Sequence, residues 1–300
     1  MANINLRRFG LAASSLALIL GLGACGNDSD GGGSEPSKSA KETKSEEAGE
    51  GTFRTLEEIQ SSGSIKIGVF YDKAPFGSQD SSGKFVGYDV VYGERIAEDL
   101  GVEPEWVPVE AASRVAFLES GKVDLILANF TVTDERAEKV DFVNPYLKVS
   151  LGVASPKNAE VTDVAQLNGK DVIVVKGTTA ETYLEANNPE VKLVKFEQYT
   201  EATSALLDGR GAAWVTDNTE ALAWTLQNSD FVTGITSLGP ADTIAGAVTK
   251  GNDSLKDWLN DHLVKLGEED FFHKDYEETL KPVYGDAVSP DELVIEGGKL

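Results

Sequence analysis

From about residue 53 onward, short apolar segments alternate with amphipathic segments along the chain. Residues 64–70 (SIKIGVF) form an apolar run typical of a strand, and residues 90–101 carry apolar positions at helical spacing and end at Gly101. By the same criteria, further strands are predicted at 104–109, 123–128, 148–155, 171–175, 191–196, 212–216 and 243–250. Further helices are predicted at 112–121, 178–188, 200–208, 218–227, 252–268 and 270–281.

This alternation of strands and helices predicts an α/β fold built on mainly parallel sheets. Residues 123–128 (VDLILA) are almost continuously apolar, which is typical of a strand buried on both faces of a sheet. After this strand the pattern restarts with an extended apolar segment at 148–155. The many strands on either side of that segment suit two lobes, and therefore more than one sheet, better than a single lobe.

A separate apolar run, residues 11–25 (LAASSLALILGLGAC), lies near the N-terminus and follows Arg7 and Arg8. A basic start, an apolar stretch and small residues at its end describe an export signal, and the run is too short to span a bilayer. Cys25 stands where a lipoprotein signal places the thiol that receives diacylglycerol. We therefore predict an exported protein, lipid-anchored to the outer face of the cell membrane or facing the periplasm. The alternative is an ordinary cleaved signal with a chance cysteine, and either the general or the twin-arginine export route fits.

Residues 26–52 contain no large apolar side chain and are rich in Gly, Ser, Glu and Lys. Such a segment cannot bury enough apolar surface to fold, and it is predicted to be a disordered tether. At roughly 5–6 Å × √n, its ends would lie about 30 Å apart. We therefore expect the membrane to be contacted through the lipid anchor only.

Composition narrows the possible functions. The 300-residue chain carries a formal net charge of −23 and a single cysteine. The charge excludes nucleic-acid backbone binding as the main activity, because that requires a basic surface, and one cysteine allows no disulfide within the chain. The sequence has no HExxH motif and no glycine-rich phosphate loop, and His262 and His273 lie outside any catalytic motif. No catalytic residue, metal site or cofactor is therefore predicted.

A set of segments occurs in an order that resembles one known family. These are GVFYDKAPFG (68–77), GKFVGYDV (83–90), GKVDLILANFTVTDERAEKVDFVNPY (121–146), VVKGTTAETY (174–183), VTDNTEA (215–221) and the stretch 271–285. Between about residues 53 and 285, the chain resembles the extracytoplasmic solute-binding proteins of family 3, the receptors of polar amino-acid ABC transporters. Within that branch, the resemblance points to the cysteine-binding surface lipoproteins.

The resemblance implies the two-lobed periplasmic-binding-protein fold, in which each lobe is a mainly parallel sheet flanked by helices and the ligand lies in the cleft. Lobe 1 would comprise 53–147 plus 245–300 and lobe 2 would comprise 150–240, with hinge crossings near 147–150 and 240–245. The implied function is to capture an amino acid by closure of the two lobes and to deliver it to the ABC permease subunits, without turnover. A monomer that binds no nucleic acid is expected.

Arg136 is the first candidate for binding such a ligand, because its planar guanidinium can bind a carboxylate through two parallel hydrogen bonds. Asn129 and Thr131 lie just upstream, at the C-terminal end of the predicted VDLILA strand, where α/β sheets place their ligands. An amino acid is a zwitterion, so a closed site has to satisfy both its carboxylate and its ammonium. On sequence alone, Arg136 could instead be a surface residue paired with Glu135 or Asp134; the resemblance favours the ligand.

The start of one predicted helix and the end of one predicted strand supply the other candidates. Gly177, Thr178 and Thr179 precede and open a helix, whose first N–H groups lack intrahelical partners and favour anions. Thr178 could also be a simple N-cap, which is compatible with ligand binding. Asp217 follows the predicted strand at 212–216 and is a candidate for the ligand's ammonium, with a helix N-cap as its alternative.

The resemblance also bears on the ligand's side chain. Phe70 stands where relatives that bind basic amino acids carry an acidic residue, Lys73 where an aromatic residue is usual, and Ala111 where a ring often stacks on the ligand. These differences argue against lysine, arginine and ornithine. Arg114 matches an arginine of the acidic-amino-acid binders, so Lys73 and Arg114 would either face a second carboxylate or be wall or surface residues. A small polar or thiol side chain suits a pocket that Phe70 narrows.

L-Cysteine is the ligand that the resemblance favours, and glutamate or aspartate comes next. The residues alone do not separate these ligands. A surface sensor or adhesin that uses the same pocket is a further alternative. An enzyme similar to cyclohexadienyl dehydratase is another, but the sequence offers it no dedicated general acid or base.

Overall fold

A computed structural model of the chain describes residues 53–299. The predicted export signal at 1–25, with its lipidated Cys25, and the predicted tether at 26–52 lie outside the described residues. None of the helices within residues 53–299 has both the length and the apolar character needed to cross a membrane.

Strands alternate with helices along the described residues, as the hydrophobic pattern predicts. The strands are β1 (Ser64–Val69), β2 (Asp72–Lys73), β3 (Gly77–Gln79), β4 (Phe85–Val86), β5 (Glu103–Pro108), β6 (Leu125–Ile126), β7 (Val140–Pro156), β8 (Asp171–Val175), β9 (Lys192–Phe196), β10 (Ala213–Asp217) and β11 (Phe231–Thr249). The helices are α1 (Leu56–Ser62), α2 (Tyr88–Leu100), α3 (Arg114–Glu119), α4 (Asp134–Ala137), α5 (Thr179–Asn187), α6 (Tyr199–Leu207), α7 (Asn218–Gln227), α8 (Asp253–Glu268), α9 (Phe271–Asp275), α10 (Lys281–Tyr284) and α11 (Pro290–Leu293).

Several elements differ in length from the apolar runs that predict them. β7 has 17 residues and β11 has 19, well beyond the predicted strands at 148–155 and 243–250. In contrast, β6 contains only Leu125 and Ile126, although every residue of 123–128 is buried. An apolar run therefore predicts which residues are buried, whereas the length of a strand also depends on the strand that it pairs with.

Two predicted helices are subdivided. The one predicted at 112–121 opens with a 3₁₀ turn at Ala111–Ser113 before α3, and the one predicted at 270–281 consists of α9, a π-helical turn at Tyr276–Leu280 and α10. α2 ends as predicted, because Gly101 adopts the left-handed conformation (φ 71°) that closes a helix.

The strands form one eight-stranded sheet in the order β5-β1-β6-β11-β7-β10-β8-β9, beside a three-stranded sheet of β2, β3 and β4. β1 pairs in parallel with β5 and β6, and β8 pairs in parallel with β9 and β10. β7 and β11 are antiparallel to each other, and each also pairs with one of the parallel groups. The predicted mainly parallel sheets are therefore present as two groups, which the long central strands join into one sheet.

The pairing of β7 with β11 is irregular near its middle. The register shifts between Leu238 and Asp242 of β11, opposite Leu151 and Val149 of β7. β6 pairs with β11 on one side of this irregularity, and β10 pairs with β7 on the other. The irregularity lies close to the predicted hinge crossings, and the lobe boundaries themselves stay a prediction.

Apolar side chains from both parallel groups share one of the core clusters. It contains Phe70 and Val109 from the β1 group and Ile173 and Trp214 from the β8 group, and all four are buried. Full burial of such a side chain stabilises the fold by about 1.5–3 kcal/mol. The two groups are therefore packed together at the point where the chain leaves β1.

Candidate functional site

The ends of four strands converge at one place in the molecule. Phe70 follows β1, Asn129 lies after β6, Gly177 comes shortly after β8, and Asp217 ends β10. In α/β proteins, ligands bind outside the carboxyl ends of parallel strands. We call this place, together with the side chains that contact these four residues, the strand-end site.

Arg136 reaches the strand-end site from the short helix α4. One terminal nitrogen, Nη1, donates a hydrogen bond to the carbonyl of Thr131 at 2.7 Å, and Nη2 donates to the carbonyl of Gly177 at 2.9 Å. The first bond is local, whereas the second joins segments 41 positions apart. Arg136 is thus directed toward the start of α5, as a role in ligand binding requires.

The charge of Arg136 has no carboxylate beside it. Among the described residues it makes no ion pair within 4.0 Å, so the surface pairing with Glu135 or Asp134 that the sequence allows is absent. Burial, and then the like charge of Arg114, lower the pKa of Arg136 to about 9, which leaves it charged at neutral pH. The guanidinium lies 4.8 Å from the centre of the Phe130 ring.

Arg114 opens α3 and is buried, whereas Arg136 is half-buried. Its Nε donates to the carbonyl of Ala111 at 2.9 Å, and Nη1 donates to the carbonyls of Ala128 and Asn129 at 3.0 and 3.3 Å. Nη2 donates to the carbonyl of Gly177 at 3.1 Å, so both arginines share this acceptor. Burial lowers the pKa of Arg114, because it penalises the charged form.

The buried guanidinium of Arg114 and the half-buried guanidinium of Arg136 therefore form a cationic pair whose hydrogen bonds end on backbone carbonyls alone. Two neighbouring like charges that are partly shielded from water repel each other, and an anion that neutralises them stabilises the folded protein. The ring of Phe130 faces both, at 4.3 Å from Arg114 and 4.8 Å from Arg136, and adds a weak cation–π attraction. The arrangement favours an anionic group of a ligand, and a carboxylate matches the fork of either arginine.

Lys73 is a third buried cation, and its environment differs. Its Nζ donates to Oδ2 of Asp217 at 2.7 Å, to Oδ1 of Asn129 at 2.9 Å and to the hydroxyl of Tyr199 at 3.3 Å, and the carboxylate of Glu220 lies 3.5 Å away. Burial alone would lower the pKa of Lys73, but the attraction of Asp217, Tyr199 and Glu220 raises it overall. Lys73 is therefore a fully paired cation.

Asp217 occupies the N-cap position of α7, yet its side chain makes no capping hydrogen bond. Its Oδ2 accepts from Lys73, while Oδ1 has no hydrogen-bond partner among residues 53–299. One turn later, Glu220 accepts a hydrogen bond from the hydroxyl of Thr216 at 2.6 Å, and burial raises the pKa of Glu220 to about 7. Asp217 thus offers one free carboxylate oxygen that could accept a hydrogen bond from an ammonium group.

The start of α5 has the geometry of a capped helix. The hydroxyl of Thr178 accepts from the N–H of Glu181 at 3.4 Å and donates to the carbonyl of Val175 at 2.6 Å, so the N-cap interpretation is confirmed. The N–H of Gly177 donates to the carboxylate of Glu181 at 2.6 Å. Thr179, the first helical residue, has no intrahelical acceptor for its N–H. Of the three candidates, Gly177 has its N–H paired with Glu181, whereas the N–H groups of Thr178 and Thr179 have no acceptor within residues 53–299.

Asn129 is held in an unusual backbone conformation. Its φ of 43° is left-handed, and its N–H donates to Oδ2 of Asp89 at 2.7 Å. Oδ1 of Asp89 accepts from the hydroxyl of Tyr146 at 2.6 Å, and burial raises the pKa of Asp89 to about 7. Asp89 thereby fixes Asn129, whose side chain contacts Lys73.

The two remaining candidates form walls of the strand-end site. Thr131 is buried and forms an isolated bridge with Ile244 of β11. Phe70 is fully buried, and its ring packs edge to face against Tyr199 with 5.2 Å between the ring centres. Lys73 and Arg114 also lie near this ring, both at 5.5 Å from its centre.

Sequence reasoning missed Asp89, Tyr199 and Glu220. Asp89 and Glu220 lie inside two of the segments that carry the family resemblance, and Tyr199 stands three positions after the end of β9. The quoted segments therefore offered a signal for Asp89 and Glu220, but none for Tyr199. Their roles are set by contacts between distant segments, such as the 126 positions that separate Tyr199 from Lys73.

A cavity of about 250 Å³ adjoins the strand-end site at the N-terminus of α5. It is lined by Thr133, Leu151, Thr179, Thr182, Tyr183, Leu238, Pro240 and Asp242. Burial, and then the charge of Asp217, raise the pKa of Asp242, while Arg136 lowers it. The cavity opens on Thr179 and adds an acidic side chain to the surroundings of the site.

Both histidines have structural partners elsewhere in the molecule. His262 lies 2.7 Å from a carboxylate oxygen of Asp99, and His273 lies between Glu296 at 2.7 Å and Asp291 at 3.1 Å. Within residues 53–299, no group of three or more His, Cys, Asp or Glu side chains is arranged to hold a metal ion.

The chain belongs to the bacterial extracellular solute-binding proteins, family 3, because residues 65–280 match the profile of that family. The ABC transporter glutamine-binding protein GlnH of Bacillus subtilis (strain 168) is 32% identical over 279 residues, which cover 91% of this chain and 97% of that protein.

Two solved structures are more similar in sequence. A solute receptor for L-cysteine of Neisseria gonorrhoeae is 50% identical, with a TM-score of 0.80 over 81% of this chain and 100% of that chain. A cysteine-binding protein from Campylobacter jejuni is 49% identical, with a TM-score of 0.79 over 80% of this chain and 98% of that chain. These similarities confirm the predicted family and the two-lobed α/β fold of periplasmic binding proteins.

Proposed function

We propose that this protein is the substrate-binding lipoprotein of an ABC transporter, and that it captures a polar amino acid, L-cysteine first, for delivery to the permease. The observation that carries the proposal is the pair of guanidinium groups, Arg114 buried and Arg136 half-buried, that has no carboxylate partner within residues 53–299. The α-carboxylate of an amino acid would supply the missing anion. The similarity to two cysteine-binding proteins, at 50% and 49% identity, supports cysteine as the ligand.

The same residues suggest how each end of the amino acid would be bound. Arg136 and the N–H of Thr179 would hold the carboxylate, with Arg114 behind them. Oδ1 of Asp217 would accept a hydrogen bond from the ammonium, and Asn129 would complete the site beside it. These groups come from both parallel groups of strands, so one ligand would bridge them and shift an open–closed equilibrium toward the closed form.

Glutamate or aspartate is the second candidate, since two guanidinium groups could bind two carboxylates. The pairing of Lys73 weakens this alternative, because its ammonium already contacts Asp217 and Glu220 and has no donor to spare for a ligand. A ligand with one carboxylate and a small side chain therefore fits the charges of the strand-end site better.

Calorimetric titration of residues 26–300 tests the ligand. The protein is unfolded and refolded first to remove any ligand that copurifies, and then titrated with reduced L-cysteine, L-glutamate, L-aspartate and L-lysine. Tight one-to-one binding of cysteine, with weak binding of the others, is expected. Tight binding of glutamate or aspartate would replace cysteine with an acidic ligand, and no binding to any of them would reject the amino-acid class.

The lipid anchor and the transport role need separate tests. Cells that express the wild-type chain should incorporate a labelled fatty acid into it, and Cys25→Ser should abolish the incorporation; equal labelling of both would reject the anchor. Loss of uptake on deletion of the permease supports transport, whereas a signalling response that survives the deletion would favour the sensor. Turnover of a cyclohexadienyl substrate would favour the enzyme.

A further inference from the structure

Lys73 is an exceptional lysine in this protein. It ends the short strand β2, and its side chain is only 1% exposed, whereas every other lysine within residues 53–299 reaches solvent. Transfer of an ammonium group from water to a protein interior costs several kcal/mol unless partners compensate. The surroundings of this one side chain therefore have to provide a complete site for a cation.

They do so with oxygen atoms and aromatic rings. Asp217, Asn129 and Tyr199 accept the three hydrogen bonds that an ammonium can donate, and Glu220 adds a second carboxylate at 3.5 Å. The ring centres of Tyr199, Phe70 and Phe76 lie 4.7, 5.5 and 5.9 Å from Nζ. We call this set of side chains the cation cage.

The cation cage is assembled from segments far from Lys73. Asp217 lies 144 positions away at the end of β10, and Tyr199 lies 126 positions away at the start of α6. Two of its members, Asn129 and Asp217, are also candidate ligand-binding residues. The cage therefore borders the place where a bound amino acid would lie.

We propose that Lys73 determines specificity: its ammonium fills a cation cage beside the ligand and thereby excludes amino acids whose side chains carry a positive charge. This inference rests on the proposed function for its ligand class. A cationic side chain in the same space would have to share the cage carboxylates with the ammonium of Lys73. In a buried site the repulsion between two such charges is strong, because water does not screen it.

Lys73→Ala offers a direct test of the cation cage, because the atoms removed beyond Cβ correspond to n-propylammonium. In this variant the carboxylates of Asp217 and Glu220 lose their cation. The melting temperature is therefore expected to fall, and n-propylammonium chloride is expected to restore it in a saturable manner. Sodium chloride at equal ionic strength and 1-propanol are expected to restore nothing, because each lacks either the shape or the charge.

Lys122→Ala is the matched control. Lys122 also lies over an aromatic ring, 3.5 Å from the centre of Phe117, but it is exposed. The wild type and Lys122→Ala are expected not to respond to n-propylammonium. A folded Lys73→Ala protein that does not respond would overturn the cation cage, as would an equal response from the wild type.

A second measurement tests specificity. L-Lysine and L-arginine are titrated into the wild type, into Lys73→Ala and into Lys73→Met, which keeps most of the side-chain volume without the charge. Affinity for a cationic ligand, relative to L-cysteine, is expected to rise about tenfold or more in both variants, as one charge-assisted hydrogen bond would give. Unchanged rejection of both ligands by Lys73→Met would overturn the proposal, even if Lys73→Ala fails to fold.

The two experiments separate this inference from the proposed function. The amine titration involves no amino acid, so it reports on the cation cage whether or not the wild type binds cysteine. If the wild type binds no amino acid, the proposed function fails while restoration by n-propylammonium still supports the cage. If cysteine binds and the amine restores nothing, the cage fails while the proposed function stands.

Discussion

At the scale of single residues, the three cations of the strand-end site differ in whether they have a counter-ion. Lys73 has two carboxylates within 3.5 Å, while Arg114 and Arg136 donate only to backbone carbonyls. A buried charge without a counter-ion raises the free energy of the folded protein. A carboxylate ligand would relieve that cost at the arginines, so the binding energy would come from the least satisfied charges in the site.

The substitution Arg136→Ala tests this view of the arginines. We expect it to weaken binding of the amino acid by about 100-fold, because two charge-assisted hydrogen bonds of the ligand are lost, at a combined cost of about 3 kcal/mol or more. The melting temperature of the ligand-free protein should stay nearly unchanged, since relief of the unpaired charge offsets the loss of the hydrogen bonds to Thr131 and Gly177. Calorimetric titration and thermal unfolding measure the two effects.

Arg210→Ala provides the control for Arg136→Ala. Arg210 also faces an aromatic ring, 5.0 Å from the centre of Phe196, but it is exposed. Its removal should leave the affinity unchanged. Unfolding of Arg136→Ala in the absence of ligand would show instead that Arg136 has a structural role.

A buried carboxyl group away from the site predicts how stability depends on pH. Asp275 is buried in α9; its Oδ1 accepts from the hydroxyl of Thr279 at 3.1 Å, and its Oδ2 is without a partner. Burial raises the pKa of Asp275 from 3.8 to about 9. Above pH 3.8 the unfolded chain releases this proton while the folded protein keeps it, so the contribution of Asp275 destabilises the fold increasingly as pH rises toward 9.

We expect Asp275→Asn to be more stable than the wild type at pH 8, because the neutral amide removes this cost. The advantage should be much smaller at pH 5 and should grow by up to about 1.4 kcal/mol per pH unit between them. Urea unfolding at both pH values measures it, with Asp253→Asn at an exposed helix start as the control. A constant difference across this range would contradict the raised pKa.

At the scale of elements, the turn between β8 and α5 holds the two arginines of the strand-end site in place. The carbonyl of Gly177 accepts from both arginines, which come from α3 and α4. The backbone of Gly177 is left-handed (φ 72°) and approaches Ala112 so closely that a Cβ would lie 2.5 Å from the Cα of Ala112. Only glycine fits this position, because any side chain would push the turn away from the 3₁₀ turn that precedes α3.

Gly177→Ala should therefore weaken ligand binding by about tenfold or more, as expected when a close backbone contact and the bonds around it are displaced. Gly169→Ala is a matched control, because Gly169 has the same φ of 72° and a Cβ at this position would meet no other atom within 4 Å. Both variants should lose about 1–2 kcal/mol of stability from backbone strain, and Gly177→Ala should lose more because of its clash with Ala112. Only Gly177→Ala should lose affinity. If Gly177→Ala and Gly169→Ala bind the ligand with equal affinity, the turn at Gly177 does not contribute to ligand binding.

At the scale of the whole molecule, a carboxylate in the small sheet holds a helix of the β8 group. Oδ2 of Asp72, in β2, accepts from the N–H groups of Tyr199 and Thr200 at the start of α6, at 2.8 and 3.4 Å. A carboxylate at a helix N-terminus also interacts favourably with the helix dipole. Because β2 belongs to the small sheet and α6 connects strands of the β8 group, this contact is available only when the small sheet and the β8 group lie close together.

Asp72→Ala should shift the ligand-free protein toward a more open form and weaken ligand binding by about tenfold, the value of one charge-assisted hydrogen bond. Asp80→Ala is the control, since the carboxylate of Asp80 accepts only from Ser82 and Lys84 within its own hairpin. Small-angle scattering reports the dimensions and calorimetry the affinity. An unchanged radius of gyration and affinity in Asp72→Ala would show that this contact does not stabilise closure.

The hydrophobic pattern predicted most of the large elements within a few residues, including β1, β8, β9, α5, α7 and α8. It was less informative where pairing decided the outcome, as in the long strands β7 and β11 and in the short strand β6. It also missed the small sheet of β2, β3 and β4, whose strands have two or three residues each and leave no periodic signal.

The sequence by itself determined the α/β alternation, the family, and the candidate status of Arg136, Asp217 and the start of α5. These follow from the order of residues along the chain. The spacing of apolar residues determines whether a segment forms a helix or a strand, the order of the characteristic segments indicates the family, and the residue type determines what a side chain can bind. The tertiary structure alone decided that Lys73 pairs with Asp217 and that two arginines share one carbonyl. Such partners lie tens to more than a hundred positions apart, and only the packing of the strand ends brings their charges within hydrogen-bond distance.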